Sequence, residues 1–300
     1  MNKQENKEDL SIGFIGVGVL GKGLPLALAA QGYRVVAAFS RRLNSAQWLA
    51  SRIPGCAAVE SAQELADSVD LVFITTPDSV IRDVAAALRW RPNQGAIHCC
   101  GAASTELLEP AADQGAVTGA FHPFQTFAGL DDPKDALARM DGVRFAISGH
   151  GWLPDYLAQV ARDLGGQPVL IADADRPIYH AAAVLACGHL VALLHGAVDL
   201  WQSMGFTAEE AVDALYPLTR ATLDNIKNEG LAAAATGPVV RGDAVTVRSH
   251  LEALFQRLPE LVPVYGTLAR ASLPLAVRKG IGPDQVTAIE ELVDHYVGSE

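Results

Sequence analysis

The chain runs to 300 residues, half of them hydrophobic, and carries a net charge of −11 at pH 7. That length suits one large or two medium domains with ample core. The acidic balance, with an isoelectric point near 5.2, argues against nucleic acid or an anionic membrane as partner and leaves a small molecule.

Residues 1–10 begin with a mixed-charge run that has no apolar core, which reads as a flexible tail and not as a signal peptide. Cys56, Cys99, Cys100 and Cys187 show no metal-ligand spacing. They predict reduced thiols in a cytoplasmic protein, with no metal. A first buried strand is expected over residues 11–16, then a glycine turn and an Ala/Leu-rich helix over 24–32. Strands follow at 34–39, 57–59, 70–75, 95–98, 116–121, 142–148 and 168–171, with helices at 45–52, 62–66, 80–88, 106–112 and 153–164. Pro77 opens the helix at 80, and Ser104 or Thr105 caps the one at 106. Repeated βαβ units predict a parallel sheet with helices on both faces.

From about residue 175 strand signals stop, and helices are expected at 176–204, 207–227, 244–257, 259–278 and 284–297. Thr207 ahead of Glu209 and Glu210 is a capping signal. The predicted class is α/β: a doubly wound Rossmann domain over 11–174, then an all-α domain over 175–300. Residues 180–200 contain no Lys, Arg or Glu, and Asp199 is their one acid. A helix so apolar, yet interrupted by His180, Gly188, His189, His195 and Gly196, is expected in a core or between subunits rather than in lipid. A homodimer through the helical domain is the expected assembly.

Gly16-Val17-Gly18-Val19-Leu20-Gly21 has G-x-G-x-x-G spacing between the first strand and the first helix. In that context the pattern binds a dinucleotide. Gly16 makes the turn, Gly18 lets backbone approach the diphosphate, and Gly21 lets helix and strand pack. The diphosphate would rest on the helix N-terminus at Val19 and Leu20. About 20 residues beyond the last glycine, where an NAD site expects an acid, stand Ser40, Arg41 and Arg42. A hydroxyl and two guanidiniums suit a 2′-phosphate, so NADP(H) is the expected cofactor.

Open α/β sheets bind ligands outside the carboxyl ends of their strands, which selects residues 75–78, 98–101 and 121–124. Thr75, Thr76 and Pro77 either meet the nicotinamide ribose or cap a helix. His98 and Gly101 line the same place. His98 and His122 are each able to donate a proton near neutral pH, and His122 stands among Phe121, Phe124 and Phe127. Tyr179 and His180, at the start of the long helix, are expected at the crevice between the domains. Arg241, in a Gly/Pro-rich loop, suits a substrate carboxylate. Asp243 either orients it or caps the next helix.

These motifs resemble a family of Rossmann-like NADP oxidoreductases whose helical C-terminal domain is of unknown function. The resemblance is carried by the glycine loop, His98-Cys99-Cys100-Gly101, Phe121-His122-Pro123, Tyr179-His180, and Thr236-Gly237-Pro238 with Arg241-Gly242-Asp243. More distantly the chain is similar to ketopantoate reductases, pyrroline-5-carboxylate reductases and the β-hydroxyacid dehydrogenases. The resemblance implies NADP(H), a dimer and hydride transfer to a small carboxylate-bearing keto or imino substrate, for example a 2-keto acid such as ketopantoate. Two departures stand out. Cys187-Gly188 replace the family's usual Ser-Asn, and no lysine lies between Lys134 and Lys227 to match the helix lysine of the β-hydroxyacid enzymes. Either a His or Tyr takes that role, or the chain is a non-catalytic NADP(H)-binding redox sensor or scaffold.

Overall fold

The computed structural model describes residues 10–127 and 133–298. By its internal contacts the chain divides into two compact units, residues 1–187 and 188–300. In the first, β1 (Ser11–Ile15), α1 (Val19–Ala30), β2 (Arg34–Phe39), α2 (Leu43–Ala50), β3 (Ala57–Ala58), α3 (Ala62–Ser68), β4 (Leu71–Ile74), α4 (Ile81–Ala86) and β5 (Gly95–His98) alternate as the pattern predicts. They are followed by α5 (Glu109–Ala112), β6 (Val117–Pro123), α6 (Pro133–Met140), β7 (Arg144–Gly149), α7 (Leu153–Asp163), β8 (Gln167–Leu170) and α8 (Arg176–Ala186).

The strands form one sheet in the order β3-β2-β1-β4-β5-β6-β7-β8. Strand order therefore reverses between β1 and β4, which is where open α/β sheets leave a crevice. One expectation is corrected. The sheet is parallel except between β6 and β7, which run antiparallel with His122 opposite Ala146. Both faces are covered, as parallel strands require. Phe14, Phe73, Phe121 and Phe145 form an aromatic row on one face, with successive ring centroids 5.0, 6.3 and 4.8 Å apart. Each buried Phe contributes about 1.5–3 kcal/mol and each ring pair about 0.5–1.5 more. Ile15, Val72, Ile74, Ile81, Leu88 and Trp90 pack on the other face.

The second unit is helical: α9 (Gly188–Gln202), α10 (Ala208–Glu229), α11 (Leu231–Ala234), α12 (Ala244–Arg257), α13 (Val262–Arg278) and α14 (Pro283–Val297). Its core is built by Val247, Leu251, Leu254, Leu273, Ile289 and Val293. Thr207 caps α10 through a reciprocal pair, accepting from the Glu210 amide (3.2 Å) while Glu210 accepts from the Thr207 amide (2.8 Å).

The expected single helix over 176–204 is broken at Cys187, whose φ of −121° and ψ of −74° leave the helical region. Of the two compact units, α8 belongs to the first and the helices after Cys187 to the second. The apolar run does not form a core within this chain either, since α9 has no buried residue.

Candidate active site

The glycine loop is tied to its neighbours before any ligand is considered. The Gly16 amide donates to the Phe39 carbonyl at 2.8 Å, and the Thr75 hydroxyl donates to the Gly16 carbonyl at 2.6 Å. Gly16 has φ +103°, and a Cβ there would lie 2.8 Å from the Thr75–Thr76 peptide. A Cβ at Gly21 would fall on the Gly16 carbonyl oxygen. At Gly18 a Cβ would meet nothing within 4 Å. Gly16 and Gly21 are therefore demanded by the chain's own packing, whereas Gly18 borders open space.

Gly18 is also the N-cap of α1, with no side-chain cap and no acid in the first turn. The first-turn amides, Val19 to Gly21, have no intrahelical acceptor and present positive potential outward. Thr75 is not free for a ribose, because its hydroxyl holds the loop. Thr76 is different: its Oγ1 is buried and has no hydrogen-bond partner. Pro77 is exposed and opens a short 3₁₀ turn at φ −54°. Beyond β2, the Ser40 hydroxyl accepts from the Arg42 amide at 3.4 Å. Arg41 and Arg42 are exposed and form no ion pair among the described residues. A dinucleotide fits this donor set. The amides suit its diphosphate, the orphaned Thr76 hydroxyl suits a sugar, and the two guanidiniums suit a further phosphate.

The register carries Ile74, His98 and Ala120 side by side across β4, β5 and β6. The segments that follow them therefore emerge together. His98 is fully buried, and both ring nitrogens serve the protein. Nε2 lies 3.1 Å from the Ser104 carbonyl, and Nδ1 accepts from the Cys100 amide at 3.2 Å. Burial, with the nearby Arg176 charge, lowers its pKa to about 4. His98 shapes the 98–104 turn as a neutral residue and presents nothing to a ligand, which corrects the expectation of a proton donor or cofactor contact. Gly101 is also re-read, because a Cβ there would lie 2.5 Å from His180 Cδ2 and 2.9 Å from His122 Nε2. Its bareness admits two imidazoles.

His122, Tyr179 and His180 are brought together within the first unit. His122 Nδ1 is 2.9 Å from the Tyr179 hydroxyl. The His122 and His180 rings stand edge to face at 6.0 Å, and the Tyr179 ring lies 5.2 Å from Phe124. Burial lowers His122 to about 4, assisted by His180 and Arg176. Burial raises Tyr179 to about 12, opposed by Arg176. At neutral pH the pair is thus a neutral imidazole and an intact phenol, not the cationic histidine acid expected from the sequence.

Behind this pair lies a charged cluster that the sequence did not announce. Arg176 is the largest fully buried side chain. Its Nε donates to the Ala103 carbonyl at 2.9 Å, but Nη1 and Nη2 have no partner. Asp173 accepts from the Thr105 hydroxyl at 2.5 Å and from its amide at 3.3 Å, while its Oδ1 is unpartnered. Thr105 is committed to that carboxylate, and Ser104 makes no side-chain cap, so the capping expected of them does not occur. No pattern in the sequence marks Arg176, since an arginine at a helix start reads as solvated.

In the second unit Asp243 caps α12, accepting from the Thr246 amide at 3.0 Å and hydroxyl at 2.6 Å. Those bonds hold its carboxyl below the usual range. Asp243 is thus the cap of α12, and the Arg241 charge also acts on it. Arg241 is exposed and lines a cavity of about 520 Å³ with Thr236, Lys279 and Gln285.

A family model described as a Rossmann-like domain matches residues 1–123. A second, described as a domain of unknown function (DUF2520), matches residues 143–272. The chain thus matches a Rossmann-like model in its first part and a DUF2520 model beyond it, in agreement with the resemblance carried by its motifs. Among solved structures it is similar to a candidate NADP oxidoreductase from Bacteroides fragilis, at 23% identity over 90% of this chain and 100% of that one, with a TM-score of 0.73. A reductive aminase from Aspergillus terreus, in complex with NADPH and ethyl-5-oxohexanoate, aligns at 18% identity over 96% and 99%, TM-score 0.63. A Plasmodium falciparum pyrroline carboxylate reductase with NADP bound aligns at 13% identity over 90% and 99%, TM-score 0.59. Comparison with curated protein sequences finds no match. The fold is that of these NADP-linked proteins.

Proposed function

We propose that this chain binds NADP(H) at the Gly16–Gly21 loop and reduces the C=O or C=N group of a small keto or imino compound. The observation that carries the reading is the Tyr179–His122 hydrogen bond, 2.9 Å long, beside the carboxyl ends of the central strands of a sheet with a dinucleotide loop. When bound, the reduced nicotinamide supplies the hydride.

The residues supply binding and the proton. First-turn amides of α1 hold the diphosphate, Arg41 and Arg42 the 2′-phosphate, and Thr76 a sugar hydroxyl. As the substrate carbon gains a hydride, its oxygen or nitrogen gains negative charge and needs a proton. The Tyr179 phenol, intact at neutral pH, donates it. His122 Nδ1–H refills the phenol oxygen while Nε2 takes a proton from water, so the imidazole ends neutral as the other tautomer. Such a positioned acid contributes about 10²–10⁴-fold.

The test is titration of the protein with NADPH and NADH, followed by nucleotide absorbance while 2-keto acids, ketones and ketone–amine mixtures are added. Oxidation of NADPH by one class establishes the reductase and its substrate class. NADPH binding with no turnover across the panel supports the rival, a redox sensor or scaffold. That rival is favoured by the absence of any lysine between Lys134 and Lys227. A carboxylate on the substrate is tested within the same panel, by comparing each 2-keto acid with the corresponding ketone.

The assembly we propose is a cytoplasmic homodimer through the helical unit. Residues 173–202 are long and apolar enough to cross a membrane by length and composition, at mean hydropathy 1.9. The break at Cys187 and the polar His189, His195 and Asp199 favour a second copy over lipid. Val191 (66%), Val212 (54%) and Leu218 (65%) are exposed on α9 and α10 and would be covered by it.

A further inference from the structure

Arg176 is not used by the chemistry above, yet it is the strangest residue of the first unit. It is 0% exposed, its Nη1 and Nη2 bond to nothing, and no carboxylate among the described residues lies within ion-pairing distance. A buried guanidinium stays protonated and normally persists only when it is paired. Helix spacing places Arg176, Tyr179 and His180 on one stripe of α8, at positions i, i+3 and i+4. Loop 98–104 closes over the same stripe, through Ala103 on Arg176 and Gly101 against His180.

We propose that Arg176 is a positioning residue for the reduction, whose guanidinium, with two nitrogens free of any hydrogen bond, stabilises the phenolate left on Tyr179 when the phenol gives up its proton. The proposal rests on the reductase reading above. The O–H bond of Tyr179 breaks and a bond from that proton to the substrate oxygen or nitrogen forms. The electron pair stays on the phenol oxygen until His122 Nδ1–H refills it. For that interval Arg176, which already feels the charge of Asp173, gains a second anionic neighbour. Full burial argues for action through Tyr179 rather than by touching substrate. The Arg176 charge is felt by Tyr179, His122, His98 and Cys99 alike.

The experiment compares Arg176→Met and Arg176→Lys with the parent chain. Arg176→Met removes the bond to Ala103 and the charge beside Asp173, so its Tm should fall, as taking one charge from a buried pair does, while NADPH affinity stays unchanged. A merely structural arginine predicts the same fall in Tm with kcat and the His122 titration unmoved. On the substrate found by the panel, kcat should fall about 10–100-fold in Arg176→Met with KM little changed. Arg176→Lys should recover most of that loss.

A second readout needs no substrate. The groups facing His122 are Tyr179, His180, Arg176, His98 and Asp78. In Arg176→Met the His122 ring, followed by NMR, should titrate above its value of about 4. A His122 titration that does not move overturns the proposal even where no substrate turns over. So does an unchanged kcat, and so does a rise in KM alone, which would make Arg176 an anion receptor. Failure of the reductase reading shows separately, as absence of turnover in the parent chain.

Discussion

Gly18 and Gly21 stand three residues apart in one loop, and the geometry separates their roles. At Gly18 an added Cβ meets nothing within 4 Å, and the backbone, at φ −83° and ψ −157°, is extended. Alanine there loses some N-cap preference, about 0.5–1 kcal/mol, and regains about 0.4–1 kcal/mol by restricting the unfolded chain. The stability of Gly18→Ala should therefore match the parent within about 0.5 kcal/mol. The new methyl would instead stand in the path of a diphosphate approaching the α1 amides. A lost charge-assisted hydrogen bond costs about 1.5–3 kcal/mol, so NADPH affinity should fall about 10–100-fold.

Gly21→Ala is the mirror case. Its Cβ falls on the Gly16 carbonyl and lies 2.8 Å from Thr75 Oγ1, and overpacking of this kind costs about 1–3 kcal/mol. Urea unfolding of both variants and fluorescence titration with NADPH measure the two quantities separately. A Gly18→Ala chain that binds NADPH as tightly as the parent would refute the placement of the diphosphate. A Gly18→Ala chain that unfolds as easily as Gly21→Ala would refute the packing argument.

Tyr179→Phe should retain NADPH binding and lose about 10²-fold or more in kcat, read by steady-state kinetics. Arg41→Ala with Arg42→Ala should weaken NADPH about 100-fold or more while leaving NADH unchanged, since each charge-assisted phosphate contact is worth about 1.5–3 kcal/mol; equal losses for both nucleotides would remove the 2′-phosphate from this turn. His98 and His122 both have folded pKa values of about 4 against an ordinary 6.5. Between those values the unfolded chain binds more protons, so stability is fully present above pH 6.5 and falls as pH drops toward 4, by on the order of 3 kcal/mol per histidine. Denaturation at pH 7 and 4.5 measures the slope, which His122→Phe should roughly halve. Val191→Glu should shift the chain to monomer in analytical ultracentrifugation without changing its circular dichroism.

The α/β order was legible because β1, β4 and β5 are short apolar runs bounded by Gly, Asp or Pro, and burial on both faces leaves no other reading for such runs. The direction of β7 was not. Residues 124–142 are as long as a crossover and include α6, so periodicity alone cannot tell a return from a crossover. The break at Cys187 was hidden for a related reason, since an apolar Ala/Leu background continues through it and no Pro marks the place. At the site, His122 and Tyr179 were legible as residue types at strand and helix ends, but their protonation was not, because it depends on burial. Asp243 carried two readings, and the bonds to Thr246 establish the capping one. Arg176 was illegible in principle: one arginine in sequence looks the same solvated or entombed.

The bond from the Thr75 hydroxyl to the Gly16 carbonyl has a kinetic consequence. A phosphate-binding loop that hangs loose must lose conformational freedom when its ligand arrives, and that loss weakens binding and slows capture. Here strand β4 fastens the loop from below and Gly21 braces it from the helix side, so the chain's own bonds hold the amides outward. Nucleotide should enter in a single concentration-dependent phase, and untying the fastening with Thr75→Val should slow that entry while leaving every amide in place.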